Sequence, residues 1–266
     1  LSFYECVENA KDYAWGGAKY NLGNGIDAIG VADLINSLIA VKKLVFDEKK
    51  VTMQRLLDAL DANFEGYDEV HYLLSKAPKF GNGIPYVDQI VDQALIFCSD
   101  VLHAYIGVCG TPLITAAATI TANVPLGYGG ALPGGRLANT PLAEGGISPY
   151  QGRNQNGPTA TMRSVAGLTH TKLTNGSVLN MRFDPNALKD RAGMEKFTDL
   201  LRAYLLGGGF FVQFNIVDTE TLRQAQKEPD RYRDLLVRVA TYSAYFVELS
   251  PEMQEDIINR MEFGAL

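Results

Sequence analysis

The sequence predicts an α/β protein, because segments with helical periodicity alternate with short apolar strands along the chain. The clearest helical pattern covers residues 27–46, where apolar residues recur at three- to four-residue spacing. The clearest strand is FFVQFNI, residues 210–216, in which apolar and polar residues alternate. Between these segments, residues 124–157 are dominated by glycine, proline, asparagine and serine, which is typical of a long irregular segment with a functional or linking role.

Helix-start signals divide the rest of the chain into elements. Thr52 predicts the N-cap of a second helix, and Pro85 predicts the first turn of a third. The third helix has a broad apolar face that includes Cys98, so we expect this cysteine in the core. Ser250 followed by Pro251 predicts the start of the last helix.

The remaining elements follow from weaker signals. We predict a strand within 111–121, strand or strand-helix pieces at 158–165 and 178–183, a helix over 194–206 that ends at three glycines, a helix capped by Asp218, a helical turn after Pro229 and a short buried strand over 235–239. The irregular segment also predicts a subdomain boundary near 143–148, which divides the chain into residues 1–145 and 146–266.

Composition limits the kind of protein and its partners. The formal net charge of −6 argues against binding to nucleic acid or to an anionic membrane, because both require a positive surface. The sequence contains no run of about 18 apolar residues, so it predicts no transmembrane helix. The three cysteines and three histidines lack CxxC or HxxxH spacing, so we expect no disulfide scaffold and no metal site, and a reducing cytoplasm fits best. The start at Leu1, without methionine, predicts a fragment of a longer chain.

The common catalytic motifs do not occur. NLGNGIDAIG lacks the order of a dinucleotide-binding GxGxxG, and GYGGALPGGR lacks the GK[ST] ending of a phosphate loop. No GxSxG nucleophile elbow is present. The ordinary dehydrogenase, kinase and hydrolase interpretations therefore fail, and an α/β chain with a glycine-rich irregular backbone remains.

Several long motifs in a fixed order carry a family resemblance. They are CVENAKDYAWGGAKYN, PGGRLANTPLAEGGISPYQG, NGPTATMRSV, VQFNIVDTETLRQAQKEPDRYRDLLVRVA and YSAYFVELSPEMQEDIINR. Together they make essentially the whole chain resemble the C-terminal part of glycyl radical enzymes, the group of pyruvate formate-lyase and the radical diol, choline and hydroxyproline dehydratases. YSAYFVELS is more similar to the dehydratase and decarboxylase branch.

The resemblance implies a fold, a reaction and partners. The fold is the second half of a ten-stranded α/β barrel, followed by a C-terminal glycyl radical domain. A separate radical-SAM activating enzyme, which contains an iron–sulfur cluster, removes a hydrogen atom from a glycine Cα. The radical passes to a cysteine as a thiyl, which abstracts a hydrogen atom from a small-molecule substrate. The resemblance further implies no cofactor bound by this chain, the upstream half of the barrel as a partner, and a homodimer in the full enzyme.

The radical-loop motif departs from the family pattern at one position. The family has RV, then a small residue, then the radical glycine and an aromatic residue, whereas this chain reads Arg238, Val239, Ala240, Thr241 and Tyr242. Thr241 therefore stands in the place of the radical glycine. A Cα radical is most stable when planar, and glycine has no Cβ to resist planarity, whereas a β-branched residue crowds it most. We expect no transferable radical at Thr241, and a steric clash of its Cβ in a loop built for glycine.

The cysteines give a second departure. Cys6, Val7 and Glu8 superficially resemble the catalytic Cys-x-Glu loop, but the KDYAWGGAKYN that follows belongs to a later segment of the family. We therefore expect the thiyl cysteine upstream of residue 1, and a packing role for Cys109. For the substrate side, polar Thr119, Thr121 and Asn123 alternate before a Pro-Gly bend and are predicted to face the substrate from a strand and loop.

Three functional interpretations remain open. The first is a fragment of a glycyl radical lyase, of the dehydratase, C–N lyase or decarboxylase type, that is inactive as it stands because of Thr241. The second is a pseudoenzyme or assembly partner that keeps the fold without the radical. The third is a spare-part protein that replaces a cleaved glycine domain, which fits poorly because such a part must carry the glycine. If the register of the resemblance slips, Thr241 is only a turn residue.

Overall fold

The computed structural model describes residues 3–21, 24–108, 110–118, 121–144 and 146–265. Cys109 and Thr119, two residues for which the sequence carries predictions, lie outside these residues. The α-helices of the described ranges are α1 (Val31–Val41), α2 (Met53–Asp61), α3 (Asp68–Lys76), α4 (Pro85–His103), α5 (Pro158–Ala166), α6 (Arg191–Leu206), α7 (Thr219–Lys227) and α8 (Pro251–Asn259). The strands are β1 (Gly25–Asp27), β2 (Ile114–Ala116), β3 (Leu179–Phe183), β4 (Val212–Ile216), β5 (Leu236–Arg238), β6 (Ser243–Tyr245) and β7 (Glu262–Phe263).

The strands form parallel pairs and one antiparallel hairpin. β1 pairs with β2 in parallel, and β3 lies between β4 and β7 with both neighbours parallel to it. A single parallel bridge between Ala117 and Ser177 extends the β2 pairing toward the start of β3. β5 and β6 form the antiparallel hairpin. Mixed α/β architecture is therefore confirmed, and the parallel pairs require the helical crossovers that the sequence predicts between them.

The predicted caps are confirmed in the geometry of the helix ends. The Thr52 hydroxyl accepts a hydrogen bond from the backbone N–H of Arg55 at the start of α2. The Asp218 carboxylate and the Ser250 hydroxyl do the same for α7 and α8. Each cap satisfies one of the backbone donors that a first helical turn leaves without an intrahelical partner. These signals are local in sequence, which is why they could be predicted.

Two helix predictions need correction. The helix predicted over 27–46 begins only at Val31, because residues up to Asp27 pair as β1 and Gly30 has a left-handed φ of 78°. Its last part, Lys42–Asp47, is a π-helical turn. Strand pairing with a distant segment has overridden the local helical periodicity. α3 was not predicted, since its short pattern of apolar residues is interrupted by polar ones.

The prediction that Cys98 is a core residue is wrong for this chain, where Cys98 is exposed. The buried face of α4 follows strict four-residue spacing through Val87, Val91, Leu95 and Ser99. The hydroxyl of Ser99 donates to the carbonyl of residue 172 at 2.7 Å, so a polar side chain takes the inward position. The apolar stripe of α4 is wider than the face that the described residues cover.

The main hydrophobic core includes residues from both sides of the predicted subdomain boundary. Ile35 and Phe80 come from the first part of the chain, and Met181 and Phe183 come from β3 in the second. A second cluster lies between α2 and α3, and a third joins α7 and α8 to the β5–β6 hairpin. The division at 145/146 thus remains a prediction about chain organisation, and one continuous core crosses it.

The irregular segment 124–157 is held together by a buried arginine. The guanidinium of Arg136 donates to the carbonyl groups of Gly127 at 3.0 Å, Gly130 at 2.7 Å and Thr140. Arg136 is only 6% exposed. Its fork of N–H groups replaces the partners that a regular ladder would provide, so the segment is irregular but ordered around one side chain. No helix in the described residues has the length and apolar character needed to cross a membrane.

Asp33 ties the same segment to α1. Its carboxylate accepts a hydrogen bond of 2.6 Å from the backbone N–H of Ala143, and Asp33 is only 5% exposed. Burial raises the pKa of the Asp33 carboxyl to about 6, although this bond and the charge of Arg136 oppose the shift. The carboxyl group is therefore more easily protonated in the folded protein than in the unfolded chain.

Replacing Asp33 by asparagine should change how stability depends on pH. Since the pKa of Asp33 is raised to about 6 by folding, the stabilisation from its protonation is present below about pH 4 and is lost as the pH rises through about 6. Over that range the unchanged protein should lose on the order of 3 kcal/mol of unfolding free energy relative to Asp33→Asn. Urea unfolding at several pH values measures this difference. The exposed Asp61→Asn is the control, and a pH-independent difference for Asp33→Asn would contradict the prediction.

Candidate functional site

The β5–β6 hairpin ends in a four-residue turn, Val239 to Tyr242, which contains the radical-loop motif. The turn is closed by a hydrogen bond of 3.0 Å from the N–H of Val239 to the carbonyl of Tyr242. Val239 and Ala240 are each 1% exposed, whereas Thr241 and Tyr242 are exposed. The first half of the turn is therefore anchored in the protein, and its tip is accessible.

Two amide side chains of β4 hold the entry to this turn. Asn215 accepts a hydrogen bond of 2.7 Å from the N–H of Arg238 and donates one of 2.8 Å to the carbonyl of the same residue. Gln213 donates to the carbonyl of Ala240. Gln213 and Asn215 lie two residues apart on one strand and so point to the same face. The polar residues of FFVQFNI are thus the ones that contact the hairpin.

The guanidinium of Arg260 also binds carbonyl groups at the start of this turn. It donates to the carbonyl of Val239 at 2.8 Å and to that of Arg238 at 3.3 Å. The same guanidinium forms ion pairs with Asp256 at 2.9 Å and with Glu144 at 3.0 Å. All three charged side chains are at most 8% exposed. The carbonyls of residues 238, 239 and 240 are therefore all bound by buried side chains.

Further amides complete the surroundings of the two carboxylates. Glu144 accepts a hydrogen bond of 2.8 Å from Asn180 on β3. Asp256 accepts one of 2.6 Å from Gln151 and one of 3.1 Å from Asn123. We call the six side chains that hold the hairpin the anchor cluster: Glu144, Asn180, Gln213, Asn215, Asp256 and Arg260. Its members come from β3, β4, α8 and its end, and the irregular segment, so the hairpin position depends on several separate parts of the chain.

Burial dominates the electrostatics of the anchor cluster. Burial raises the pKa of Glu144 to about 7; the nearby Asp256 adds to the shift, and Arg260 opposes it. Burial disfavours the charged form of Arg260 as well, but the Glu144 and Asp256 carboxylates raise its pKa overall. Arg260 therefore remains a cation, and Glu144 shares it with a second carboxylate. Protonation of Glu144 leaves a neutral pair of Arg260 and Asp256, which suits a buried site.

A cavity beside the anchor cluster is too small for a substrate. Its volume is about 20 Å³, and it is lined in part by Glu144, Asn180, Asn215 and Arg260. A space of this size holds about one water molecule. The cluster is therefore a device that positions the hairpin and is not itself a substrate pocket.

The structure accommodates a threonine at position 241. Thr241 is exposed, and it is not among the residues with a positive φ. The crowding that we expected around its Cβ is thus not produced by the described residues. Arg238 is half-buried, and its guanidinium donates to the hydroxyl of Ser243 at 3.3 Å, which links the two strands of the hairpin. Tyr242 lies at the accessible tip with Thr241.

The predicted substrate-facing residues are arranged differently from the strand that we expected. Thr121 and Asn123 belong to a 3-10 turn, Thr121–Asn123, so their alternation along a strand is not present. Asn123 is 2% exposed and contacts the anchor cluster through Asp256, whereas Thr121 is half-buried. Thr119 lies outside the described residues. The structure thus brings Asn123, and not Thr121, to the anchor cluster.

The sequence predictions missed the anchor cluster. In the sequence, Gln213 and Asn215 are only the polar positions of an alternating strand, and no motif marks Glu144 or Arg260. The available signal was the strand FFVQFNI itself, since two amides on one face of a strand need buried partners when that face is covered. Cys6 is partly exposed with a free thiol, and its role remains a prediction. Among the described residues no group of three His, Cys, Asp or Glu side chains could hold a metal ion.

Family models match the two parts of the chain. Residues 2–127 match the pyruvate formate lyase-like model, and residues 143–247 match the glycine radical model. The second match contains the β5–β6 hairpin with position 241 and four of the six residues of the anchor cluster: Glu144, Asn180, Gln213 and Asn215. The hairpin and the amides that hold it therefore belong to one family domain.

Known proteins resemble the chain over nearly all of its length. It is 42% identical over 260 residues to trans-4-hydroxy-L-proline dehydratase of Clostridioides difficile. The aligned region covers 97% of this chain and 33% of that protein. It is 36% identical over 290 residues to indoleacetate decarboxylase of Tractidigestivibacter scatoligenes, which covers 100% of this chain and 33% of the relative. The B12-independent glycerol dehydratase of Clostridium butyricum has a similar structure, with a TM-score of 0.93, 40% identity, and coverage of 98% of this chain and 33% of that one. The chain spans about a third of the length of these relatives.

Replacing Asn215 by alanine should loosen the hairpin without unfolding the protein. The change removes two hydrogen bonds to the backbone of Arg238 and leaves its N–H without a partner, while its carbonyl keeps the contact with Arg260; the loss costs about 1–3 kcal/mol. Hydrogen exchange of the amides at 238–242 should become faster. The exposed Asn186→Ala is the control. Unchanged exchange in Asn215→Ala would show that the amide does not hold the hairpin.

Replacing Arg260 by methionine should destabilise the protein strongly, because Glu144 and Asp256 remain buried without a cation. The expected loss of unfolding free energy is about 3–5 kcal/mol. Adding Glu144→Gln to Arg260→Met removes one of the two uncompensated carboxylates and should recover part of the loss. Urea unfolding of the single and double variants measures the coupling, with the exposed Arg191→Met as control. A double variant less stable than Arg260→Met would rule out this account.

Proposed function

Because the chain belongs to the glycyl radical enzyme family, we propose that it is the C-terminal part of a glycyl radical lyase in which Thr241 occupies the position of the radical glycine. The lyase is of the dehydratase, C–N lyase or decarboxylase type and acts on a small metabolite. In this proposal residues 1–145 belong to the pyruvate formate-lyase-like barrel, as part of the second half of its ten strands. Residues 146–266 form the glycyl radical domain.

The observation that carries the proposal is the anchored turn with an exposed tip. Three successive carbonyls, those of Arg238, Val239 and Ala240, are bound by buried side chains, and the next residue, Thr241, is accessible. A radical position needs this combination. The backbone must hold one Cα at a fixed place, and a second protein must be able to reach the same Cα.

In such a lyase, each radical transfer moves one hydrogen atom. A radical-SAM activating enzyme takes a hydrogen atom from the glycine Cα, which leaves a carbon radical in the loop. That radical takes the hydrogen atom of a cysteine thiol on the upstream half of the barrel and becomes glycine again. The resulting thiyl takes a hydrogen atom from the substrate, whose neighbouring bond then breaks with release of the leaving group, and the thiol returns the atom to the product radical. The cysteine is then a thiyl again and takes the Cα hydrogen of the glycine, which restores the glycyl radical.

The residues of this chain contribute position and planarity to that sequence. A Cα radical is stabilised when the flanking amide and carbonyl share the unpaired electron in one plane. The contacts of Gln213 and Arg260 with the carbonyls of Ala240 and Val239 hold the two peptide groups before position 241 in place. A threonine at 241 adds a branched Cβ that opposes planarity. The chain as it stands is therefore inactive in radical transfer.

A second candidate function is favoured by the same residue. A pseudoenzyme or assembly partner would keep the anchor cluster, which needs no radical, and would tolerate Thr241, which is exposed in this structure.

The partners of the first function are a small-molecule substrate, the activating enzyme, the upstream half of the barrel and a second copy in a homodimer. The protein would act in an anaerobic cytoplasm, and this chain would bind no metal or other cofactor.

Replacing Thr241 by glycine should permit radical formation in the protein at its full natural length. After anaerobic incubation with an activating enzyme of the family, electron paramagnetic resonance should give a doublet from Thr241→Gly and none from the unchanged protein, because the single remaining Cα hydrogen splits the signal. Protein labelled with Cα-deuterated glycine should lose the splitting. Thr241→Ala, which keeps a Cβ, is the matched control and should give no doublet.

The outcomes separate the two candidate functions. A doublet in the unchanged protein would contradict the role given to Thr241. No doublet in Thr241→Gly, with hydrogen exchange at 238–240 unchanged and a related lyase activated in parallel, would favour the pseudoenzyme. Absence of a Cys-x-Glu loop in the upstream part of the natural protein would also exclude the lyase.

A further inference from the structure

A pocket separate from the anchor cluster is lined by cations. It lies between the end of α3, the connection to α4, and residues 153–156 of the irregular segment, and its volume is about 260 Å³. The polar side chains of its wall include Lys76, Lys79, Asn82, Arg153, Gln155 and Asn156. No Asp or Glu of the described residues is part of this wall.

Lys79 is the most unusual of these side chains, since its residue is only 6% exposed. Its ammonium group donates a hydrogen bond of 2.6 Å to the carbonyl of Leu74. An ammonium group has three donors, and a buried one normally has a carboxylate nearby. In the described part of the chain, Lys79 forms no ion pair. Burial and, to a smaller extent, the positive charge of Arg153 together lower the pKa of Lys79 to about 8.

Arg153 is held beside Lys79 by an asparagine. The amide of Asn82 donates to the carbonyl of Lys79 at 3.1 Å and to that of Arg153 at 2.9 Å. Asn82 also accepts a bond of 3.1 Å from the N–H of Asn156. These contacts join the backbones of two positively charged residues that both line the pocket. The guanidinium of Arg153, which is half-buried, has no ion pair with any acidic residue that the structure describes.

We infer that this pocket is a binding site for a small anion that carries a carboxylate or phosphate group. Lys79 supplies a point charge, and Arg153 supplies a planar fork of N–H donors that matches either group. An anion between them removes both the repulsion and the cost of burying an unpaired ammonium. The pocket volume suits a molecule of a few heavy atoms. This site goes beyond the proposed lyase function and does not depend on it.

Calorimetric titration of the full natural protein with acetate and, separately, with inorganic phosphate tests the site. We expect saturable binding of at least one of the two anions at one site per chain. The anion with the lower dissociation constant identifies the class of ligand. Lys79→Met and Arg153→Gln should each weaken binding at least about tenfold, as expected when one charge-assisted hydrogen bond is lost. The exposed Lys227→Gln is the matched control and should leave the affinity unchanged.

Two results would overturn the inference. One is binding that is equal in the unchanged protein and in Arg153→Gln, a variant that should fold because Arg153 is half-buried. The other is no saturable binding of either anion to the folded full-length protein. That result overturns the inference even if the 266-residue chain alone binds, because another segment of the protein then fills the pocket with its own carboxylate. If Lys79→Met does not fold, Arg153→Gln decides. The anion should also raise the melting temperature of the unchanged protein but not that of Arg153→Gln, which supports the site independently.

Discussion

The guanidinium of Arg260 is the interaction on which the hairpin position depends. It lies between two buried carboxylates, Glu144 and Asp256, and binds two carbonyl groups of the turn. A buried arginine needs such partners, because an unpaired charge in the interior is strongly unfavourable. The turn thus provides part of the solvation of Arg260 while Arg260 holds the turn. Removing either partner therefore leaves the other with buried polar groups that lack partners.

The amides of β4 extend the same dependence to the sheet. A short hairpin with a four-residue turn cannot satisfy its own carbonyls through its ladder, which here pairs only three residues on each strand. Gln213 and Asn215 take the place of the missing ladder partners from a neighbouring parallel strand. Because their amides have fixed donor and acceptor ends, they specify the register of the hairpin as well as its distance. The polar network therefore contributes specificity, while the apolar third core contributes most of the attraction.

Local features were predictable from the sequence, and long-range pairings were not. The caps at Thr52, Asp218 and Ser250 depend on residues within one turn, so their pattern is sufficient. Burial depends on what covers a helix face, which is why Cys98 was assigned wrongly. The contact between Glu144 and Arg260 joins residues more than 100 positions apart, and no periodicity indicates it. The position of Thr241 could be recognised only through a family resemblance, since composition alone makes it an ordinary turn residue.

The order of strands around β3 has a mechanical consequence. β4 and β7 flank β3, so the segment from residue 217 to 261 leaves and re-enters the sheet at points about 10 Å apart, two strand spacings. That segment contains the hairpin, α7 and α8. Both of its connections to the sheet therefore lie on one side of the molecule. The ion pair of Arg260 with Glu144 and the contacts of Gln213 and Asn215 with the hairpin join the segment to the rest of the chain at further points.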